Sequence, residues 1–389
     1  MKDIAIIKST FIERSINTLI ALFTILTLVH YLEIFNIKFI SRTMLVIFGL
    51  SITLLISIIF KEQLPLKNLI SKNSLLMFFI IIFILLNSFL VRFHFQLGAI
   101  FSLVLGIAFA KHLCESKKSY WIVLFPFWLL SFYIVLKLLE NPDPNMVFIR
   151  SRNYISFYLL ITVLPYYFLR VKNREKLSVV PALVLLLLSL YSLGRSGIIS
   201  SMILFMGVIL HSIKKLKYKI FFVLSIIVTI GFLIFFYLDY YELYLEYDRF
   251  SNLETIATIG GRTNFLSNYY NQLDLFGLIF GIDTNNPAIL RHGSYVAGHI
   301  HSSILNFISV IGILFVVFVY FILKKIRMFS IYNPTLNFFL IALLVRVTTE
   351  DGLLFDFFDF TIWMFLFVNI RNMTQNISNT NMSLKRQVF

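Results

Sequence analysis

Residues 74–91 read SLLMFFIIIFILLNSFLV, a run of eighteen residues without a charged side chain. About 20 predominantly apolar residues span the hydrocarbon core of a bilayer as a helix, so this run predicts a membrane-spanning helix. Hydrophobic residues make up 59% of the 389-residue chain and charged residues only 14%, a balance that soluble globular domains do not have. Twelve predominantly apolar stretches of about this length occur in all, near 15–35, 43–60, 74–91, 95–113, 120–136, 154–169, 178–193, 197–212, 220–238, 303–323, 334–349 and 353–370. The sequence therefore predicts an all-α polytopic membrane protein, one domain over residues 1–389 with about 12 transmembrane helices.

The net charge of +15 follows the order of the loops rather than forming a surface for polyanions. If the N-terminus is cytoplasmic, the seven cytoplasmic segments carry 23 of the 34 Lys and Arg residues. This is the positive-inside distribution of a membrane protein, and an even number of spans puts both termini in the cytoplasm. We therefore expect no nucleic-acid partner. The seven segments lie near 1–14, 61–73, 111–119, 170–177, 213–219, 324–332 and 371–389.

One long segment, residues 239–302, interrupts the spans on the predicted outer face. A connection of this length is usually functional or disordered, and its many Tyr, Phe and Leu residues favour a folded loop. Glycines at 260 and 261 indicate a turn into a helix that begins near Arg262. The apolar residues that follow predict an amphipathic helix lying along the membrane surface. These residues are Phe265, Leu266, Tyr269, Tyr270 and Leu273.

The loop closes on Gly298-His299-Ile300-His301-Ser302, directly before an apolar run. Imidazole acts as a base near neutral pH, and a guanidinium group holds phosphate oxygens in a planar fork. His301 is the candidate base, with His299, Arg262 and Arg291 as candidates for substrate or diphosphate binding. In the simpler interpretation, His301 only caps the entrance of the next span.

Two arginines at span ends complete the set of candidates. Arg195 lies in a two-glycine break, Gly194-Arg195-Ser196-Gly197, where small neighbours leave room for a ligand, although an arginine can also end a span by reaching the interface. Arg346 is either a substrate-binding residue or a salt-bridged span end, because Glu350 and Asp351 follow it. We predict no cofactor and no metal, since two histidines two residues apart point to different faces of a helix.

The order of these motifs resembles the O-antigen polymerase and O-antigen ligase superfamily. The resemblance rests on Ser192-Leu193-Gly194-Arg195-Ser196-Gly197, on Gly261-Arg262-Thr263 in the long loop, and on His301-Ser302 followed after nine residues by Gly312. It covers about residues 180–360 and the layout of roughly twelve spans. By match to these motifs, Arg195, Arg262 and His301 correspond to functional residues of the family.

The resemblance implies a C-type glycosyltransferase architecture in the bacterial inner membrane, with the active site on the periplasmic face. The implied donor is a saccharide on undecaprenyl diphosphate, used without a metal, with membrane lipid and a chain-length regulator protein as further partners. A polymerase would extend O-antigen or capsule polysaccharide by one repeat unit after another. A ligase, the alternative, would move the chain to lipid A–core in lipopolysaccharide biosynthesis; Phe315 replaces a glycine of the ligase pattern, which favours the polymerase. A flippase for lipid-linked oligosaccharides is the third interpretation, but the chain lacks the internal repeat that it calls for.

The predicted topology is testable with single cysteines in a Cys114→Ser background. Asn252→Cys and Asn286→Cys should react with an impermeant thiol reagent in intact cells, because both lie in the predicted periplasmic loop. Lys117→Cys should react only after lysis. Labelling of Lys117→Cys in intact cells together with protection of both loop cysteines would reverse the orientation.

Overall fold

The protein forms a bundle of apolar helices. The computed structural model describes residues 2–32, 41–61, 72–92, 96–116, 120–144, 147, 153–192, 194–213, 267–284, 291–292, 295–296, 302–350, 353–354 and 356–368. Two residue pairs, β1 (Arg291–His292) and β2 (Tyr295–Val296), form an antiparallel ladder. The helices are α1 (Lys2–Leu32), α2 (Arg42–Lys61), α3 (Lys72–Leu90), α4 (Leu97–Glu115), α5 (Tyr120–Glu140), α6 (Asn153–Lys172), α7 (Val180–Tyr191), α8 (Arg195–Ser212), α9 (Leu275–Phe280), α10 (Ser303–Ile311), α11 (Leu314–Tyr332), α12 (Pro334–Thr349) and α13 (Phe360–Phe367).

Five of the described helices are long and apolar enough to cross a membrane. They are Phe11–Leu32, Leu97–Glu115, Tyr120–Glu140, Asn153–Lys172 and Arg195–Ser212. Only helices and closed barrels satisfy every backbone polar group inside a bilayer, which explains why such apolar runs fold as helices. Apart from the short β1–β2 ladder, the expectation of a helical membrane protein is confirmed at this level, whereas the count of twelve spans stays a prediction. The ninth predicted stretch, 220–238, lies outside the described residues.

Helix α6 occupies the centre of the bundle, since seventeen of its twenty residues are buried. It packs against α5, α7 and α12. On α5, by contrast, Trp121, Phe125 and Phe132 are all more than half exposed, as expected for a helix face turned to lipid. We call the end of the bundle where α1 finishes and α6 and α8 begin the outer end, because the charge distribution predicts that it faces the periplasm.

A polar network joins three helices at the opposite, inner end. Asn17 of α1 donates to Ser116 over 3.1 Å, and its Oδ1 lies 3.0 Å from Nε2 of His112 in α4. The Ser116 hydroxyl donates to Glu13 over 2.7 Å, and Lys172 at the end of α6 donates to the Ser116 carbonyl over 2.8 Å. Buried polar groups that satisfy one another in this way fix the register of the helices.

Two predicted spans differ from the observed helices. The stretch 303–323 is broken into α10 and α11 at Gly312, whose φ of 51° lies in the left-handed region. The stretch 353–370 contains only the eight-residue α13, preceded by a turn over 357–359. Apolar composition alone does not predict either difference, because both depend on contacts with distant parts of the chain.

Gly312 and Gly281 allow the end of the long loop to dock on the bundle. A Cβ atom at Gly312 would stand 2.1 Å from the carbonyl oxygen of Ile279 in α9, and one at Gly281 would stand 2.0 Å from the carbonyl oxygen of Ser309 in α10. Asn87 of α3 secures the same junction by donating to the carbonyls of Phe280, over 2.7 Å, and Ser309, over 2.9 Å. The glycine of the His301-Ser302-x9-Gly312 motif is thus a packing residue.

The predicted loop helix is described only in part. Residues 267–271 are helical, but Tyr269 is 2% exposed and Tyr270 is 64% exposed, so the prediction that they share a face is wrong. Consecutive residues point about 100° apart around a helix, and Tyr269 takes the inner position, where its hydroxyl contacts Ser309 at 3.2 Å. Phe265, Leu266 and Arg262 lie outside the described residues.

We expect Gly312→Ala to lower the melting temperature of the detergent-solubilised protein. A left-handed conformation costs a non-glycine residue roughly 1–2 kcal/mol, and the clash with the Ile279 carbonyl adds to that cost. Gly98→Ala is the matched control, because its new Cβ would meet only the Arg42 side chain at an ordinary 3.6 Å. Equal melting temperatures for the two variants would show that the α9–α10 junction does not need the glycine.

Candidate functional site

A fully buried arginine ties three helices together at the outer end. Arg346, near the end of α12, is 0% exposed. Its Nη1 donates to the Ser196 hydroxyl over 2.6 Å, and its Nη2 donates to the Asn153 carbonyl over 2.9 Å. The Glu350 carboxylate lies 3.9 Å from Nη1, and the guanidinium group stands over the Phe157 ring at 5.6 Å. A guanidinium group buried in this way needs such partners, and here they come from the first turns of α6 and α8.

The two-glycine break makes this contact possible. A Cβ atom at Gly197 would stand 2.0 Å from the Ser156 hydroxyl of α6, and one at Gly194 would stand 2.8 Å from Oδ1 of Asn153. Without side chains at these positions, the start of α8 approaches α6 closely enough for Ser196 to reach Arg346. The pattern of small residues predicts room for a ligand, whereas the described contacts fill that space with α6.

Arg195 and Arg346 therefore differ in what they can contact. Arg195 begins α8 and is exposed at the outer end. The free N–H groups of a helix start also favour anions, so this position suits a negatively charged substrate. Arg346 has no exposed surface, and its contacts favour the structural interpretation of the two that the sequence left open. We assign Arg346 to positioning the site rather than to touching substrate.

The start of α10 is bonded to the end of α12. The Ser303 backbone N–H donates to the Glu350 carbonyl over 2.9 Å, and the Ser303 hydroxyl donates to the same oxygen over 2.6 Å. Ser302 caps α10, its hydroxyl accepting from the Leu305 N–H at 3.4 Å. Glu350 lies one helical turn beyond Arg346, so Ser303, two residues after His301 in the sequence, is held near the buried Arg346.

The other predicted site residues are not described in the same detail. His301, His299 and Arg262 lie outside the described residues, and Arg291 is described only as part of strand β1. Of the six predicted residues, the structure brings Arg195 and Arg346 to one end of the bundle, on adjacent helices. Within the described ranges, no three His, Cys, Asp or Glu side chains stand close enough to share a metal ion.

Beside the residues that contact Arg346, the outer end contains a cavity of about 360 Å³ that sequence reasoning missed. The walls come from the end of α1, the starts of α2, α4 and α6, the residues after α3, and the segments around α10 and residue 354. Two arginines and one aspartate are among the described residues that line it. The lining residues are Tyr31, Arg42, Arg92, Gln96, Ala99, Tyr154, Tyr158, Thr284, Asn306, Val310, Leu353, Leu354 and Asp356.

Arg92 is a largely buried charge in this wall. Its side chain is 10% exposed, its Nε lies 3.9 Å from Asp283, and its Nη2 donates to Thr284 over 3.3 Å. Burial lowers the pKa of the guanidinium group, and the Asp283 carboxylate opposes that shift. A guanidinium group stays protonated in proteins, so Arg92 keeps a positive charge at the cavity.

Asp356 is the acidic residue among those that line the cavity. Its Oδ1 accepts a hydrogen bond from the Tyr31 hydroxyl at 2.5 Å and another from the Phe357 backbone N–H at 2.6 Å. Gln96 is fixed in turn by donating to Asn87 over 2.7 Å. The polar groups of the cavity are therefore held in place by contacts with the surrounding helices, which is the property of a preorganised binding site.

One signal in the sequence could have pointed to the cavity. Arg42 and Arg92 are among the 11 basic residues outside the seven predicted cytoplasmic segments, and each adjoins the end of an apolar stretch. Basic residues on the outer face run against the positive-inside distribution and therefore invite a functional explanation.

Comparison of the chain with protein-family models, with curated proteins and with solved structures gives no match. The geometry of the outer end and the order of the motifs are therefore what any functional argument rests on.

Arg346→Ala tests the assignment of this residue to positioning. Removing one partner of a buried ion pair costs ~3–5 kcal/mol, because the other partner is left uncompensated, so the melting temperature in detergent should fall strongly. Arg195→Ala, at an exposed position one residue from Ser196, should change stability by less than ~0.5 kcal/mol. An Arg346→Ala protein with unchanged melting temperature and no activity would instead make Arg346 a substrate-binding residue.

Proposed function

We propose that this protein polymerises undecaprenyl-diphosphate-linked oligosaccharide repeat units at the periplasmic face of the bacterial inner membrane. In this reaction, the hydroxyl oxygen of one lipid-linked sugar attacks the anomeric carbon of the saccharide on another carrier. The bond between that carbon and the diphosphate oxygen breaks, and the leaving undecaprenyl diphosphate takes the electron pair. The proton of the attacking hydroxyl passes to a base.

The observation that carries the proposal is the convergence of two motif segments. Arg346 bonds to Ser196, next to Arg195, while the Glu350 carbonyl, one turn further along α12, accepts from Ser303. In the superfamily that the sequence resembles, the first segment supplies an arginine for the donor and the second follows the histidine that closes the loop. Their meeting on one helix supports a common site at the outer end.

The chemistry assigns a role to each candidate side chain. His301 takes the proton of the acceptor hydroxyl, a task that suits a pKa near neutrality. Arg195, Arg262 and Arg291 stabilise the diphosphate, which already carries negative charge and gains more as the bond breaks. His299 assists in substrate binding, and Arg346 holds α8 and α12 in place. No step in this scheme needs a metal ion.

The residue three positions after Gly312 favours a polymerase over a ligase. The ligase pattern has a second glycine where this chain has Phe315. That ring packs beside Phe307 and Phe318, with centroid distances of 6.4 Å and 6.5 Å, and so fills space within the described core. We therefore favour growth of the polymer on the lipid carrier over its transfer to lipid A–core.

The His301 variants test the proposal in cells that lack the chromosomal gene. A positioned general base contributes typically ~10²–10⁴-fold in rate, so His301→Ala should leave single repeat units in place of a polysaccharide ladder. His301→Gln keeps hydrogen bonding but cannot take up a proton near neutral pH, and it should be equally inactive. Membrane levels of both variants must match those of the unmodified protein.

Arg262→Lys serves as the companion variant, because lysine keeps the charge but loses the planar fork that binds phosphate. We expect short chains from Arg262→Lys and almost none from Arg262→Ala. A full-length ladder from His301→Gln would remove the base from the scheme. A ladder of polymer that stays on the carrier in cells without the gene would mean that the protein is a ligase.

A further inference from the structure

The cavity at the outer end has a composition that the proposed donor site does not explain. We propose that it binds a sugar ring carrying an anionic group, a carboxylate or a phosphate, and thereby selects acidic saccharides. The place of that sugar in a growing chain rests on the proposed function, whereas its binding to the cavity does not. Arg195 and Arg346 are not among the residues that line it.

The volume of the cavity suits a sugar ring. A volume of about 360 Å³ lies at the lower end of the range for pockets that hold small molecules, about 300–1,000 Å³. A cavity of this volume accommodates a sugar ring with its substituents. The long isoprenoid tail of a lipid carrier needs a much longer apolar groove.

Two guanidinium groups give the cavity positive charge. Arg42, at the start of α2, is exposed. A Cβ atom at Gly98 would stand 3.6 Å from the Arg42 Nη2 atom, so the Arg42 side chain reaches the start of α4. Arg92, two residues after the end of α3, contributes a second guanidinium group. Guanidinium groups bind carboxylates and phosphates through paired N–H donors, and such charge-assisted bonds are about twice as strong as neutral ones.

Three stacked tyrosines form an aromatic wall of the cavity. The rings of Tyr154 and Tyr158 stack at 5.6 Å with an interplanar angle of 25°, and Tyr31 stacks on Tyr158 at 6.5 Å with an angle of 21°. A tyrosine presents an apolar face and a polar tip. A sugar ring has the matching surface, since its C–H groups form apolar patches and its hydroxyls lie around the rim. Inorganic phosphate alone would make no use of these rings.

The cavity also contains polar groups that suit the hydroxyls of a sugar. The Asp356 carboxylate, oriented by Tyr31, accepts hydrogen bonds from sugar hydroxyls, and the amides of Gln96 and Asn306 both donate and accept. A site that combines guanidinium groups with a fixed carboxylate offers partners both to the anionic group of a sugar and to its hydroxyls. The two kinds of contact together fix the orientation of the ring.

Saturation-transfer difference NMR on the full-length protein in detergent tests the proposal directly. The probes are methyl glucuronide, glucose 1-phosphate and, as the neutral comparison, methyl glucoside. We expect saturation of one or both anionic sugars and none of the glucoside, and the anionic sugar that responds identifies the anion. Arg42→Gln and Arg92→Gln should each weaken that binding about tenfold or more, the loss expected for a hydrogen bond to a charged group.

Lys137→Gln is the matched control, because it removes a positive charge from the outer end of α5, where Lys137 pairs with Glu140 over 2.6 Å outside the cavity. It should bind the anionic sugars as well as the unmodified protein does. Since Arg42 is exposed, Arg42→Gln should fold normally, and its melting temperature checks this. Arg92 is largely buried, so sugar binding by Arg92→Gln is interpretable only when that variant keeps the melting temperature of the unmodified protein. If it does not, the binding measured for Arg42→Gln decides the test.

Three results would overturn the proposal. The first is equal saturation of glucoside and anionic sugars. The second is anionic-sugar binding that Arg42→Gln leaves unchanged. The third is displacement of the sugars by inorganic phosphate at equal concentration, which would show that the ring contributes nothing. Loss of polymerisation with retained sugar binding would instead count against the proposed function and leave this cavity assignment standing.

Discussion

The buried guanidinium group of Arg346 is the constraint on which the outer end of the bundle depends. A charge with no exposed surface, inside a bundle of apolar helices, must be surrounded by hydrogen-bond partners. Ser196 and Asn153 supply them only if α8 and α6 begin beside the end of α12, and Gly197 is the residue that lets the two helices come that close. One ionic centre thus fixes where three helices start or finish, and with them the position of Arg195.

The cavity follows from the same arrangement. Tyr154 stands next to Asn153, and Leu353 donates its backbone N–H to the Ser303 hydroxyl over 3.2 Å, so two cavity walls continue directly from the residues around Arg346. The wall formed by Thr284, Asn306 and Val310 lies at the junction of α9 with α10, where Gly281 and Gly312 permit close backbone contact. A polar, preorganised outer end is what the proposed action on a lipid-linked anionic substrate requires.

Local composition predicted much of the helical frame, because hydropathy and charge are properties of neighbouring residues. The stretches 95–113, 120–136, 154–169 and 197–212 correspond to helices within a few residues, and Gly194 marks the start of α8. The break at Gly312 and the shortness of α13 were missed, since both depend on long-range packing. The cavity was missed for the same reason: Tyr31, Arg92 and Asp356 are far apart in the sequence and meet only in the folded bundle. His301 stays a prediction, as it lies outside the described residues.

The most direct measurement is chain growth by the purified protein in liposomes that contain undecaprenyl-diphosphate-linked repeat units. We expect a ladder of polymer in the presence of a metal chelator, with release of one undecaprenyl diphosphate for each bond formed. Liposomes with His301→Ala provide the background. Repeat units that remain single, whether or not they cross the membrane, would contradict the account and favour a transporter.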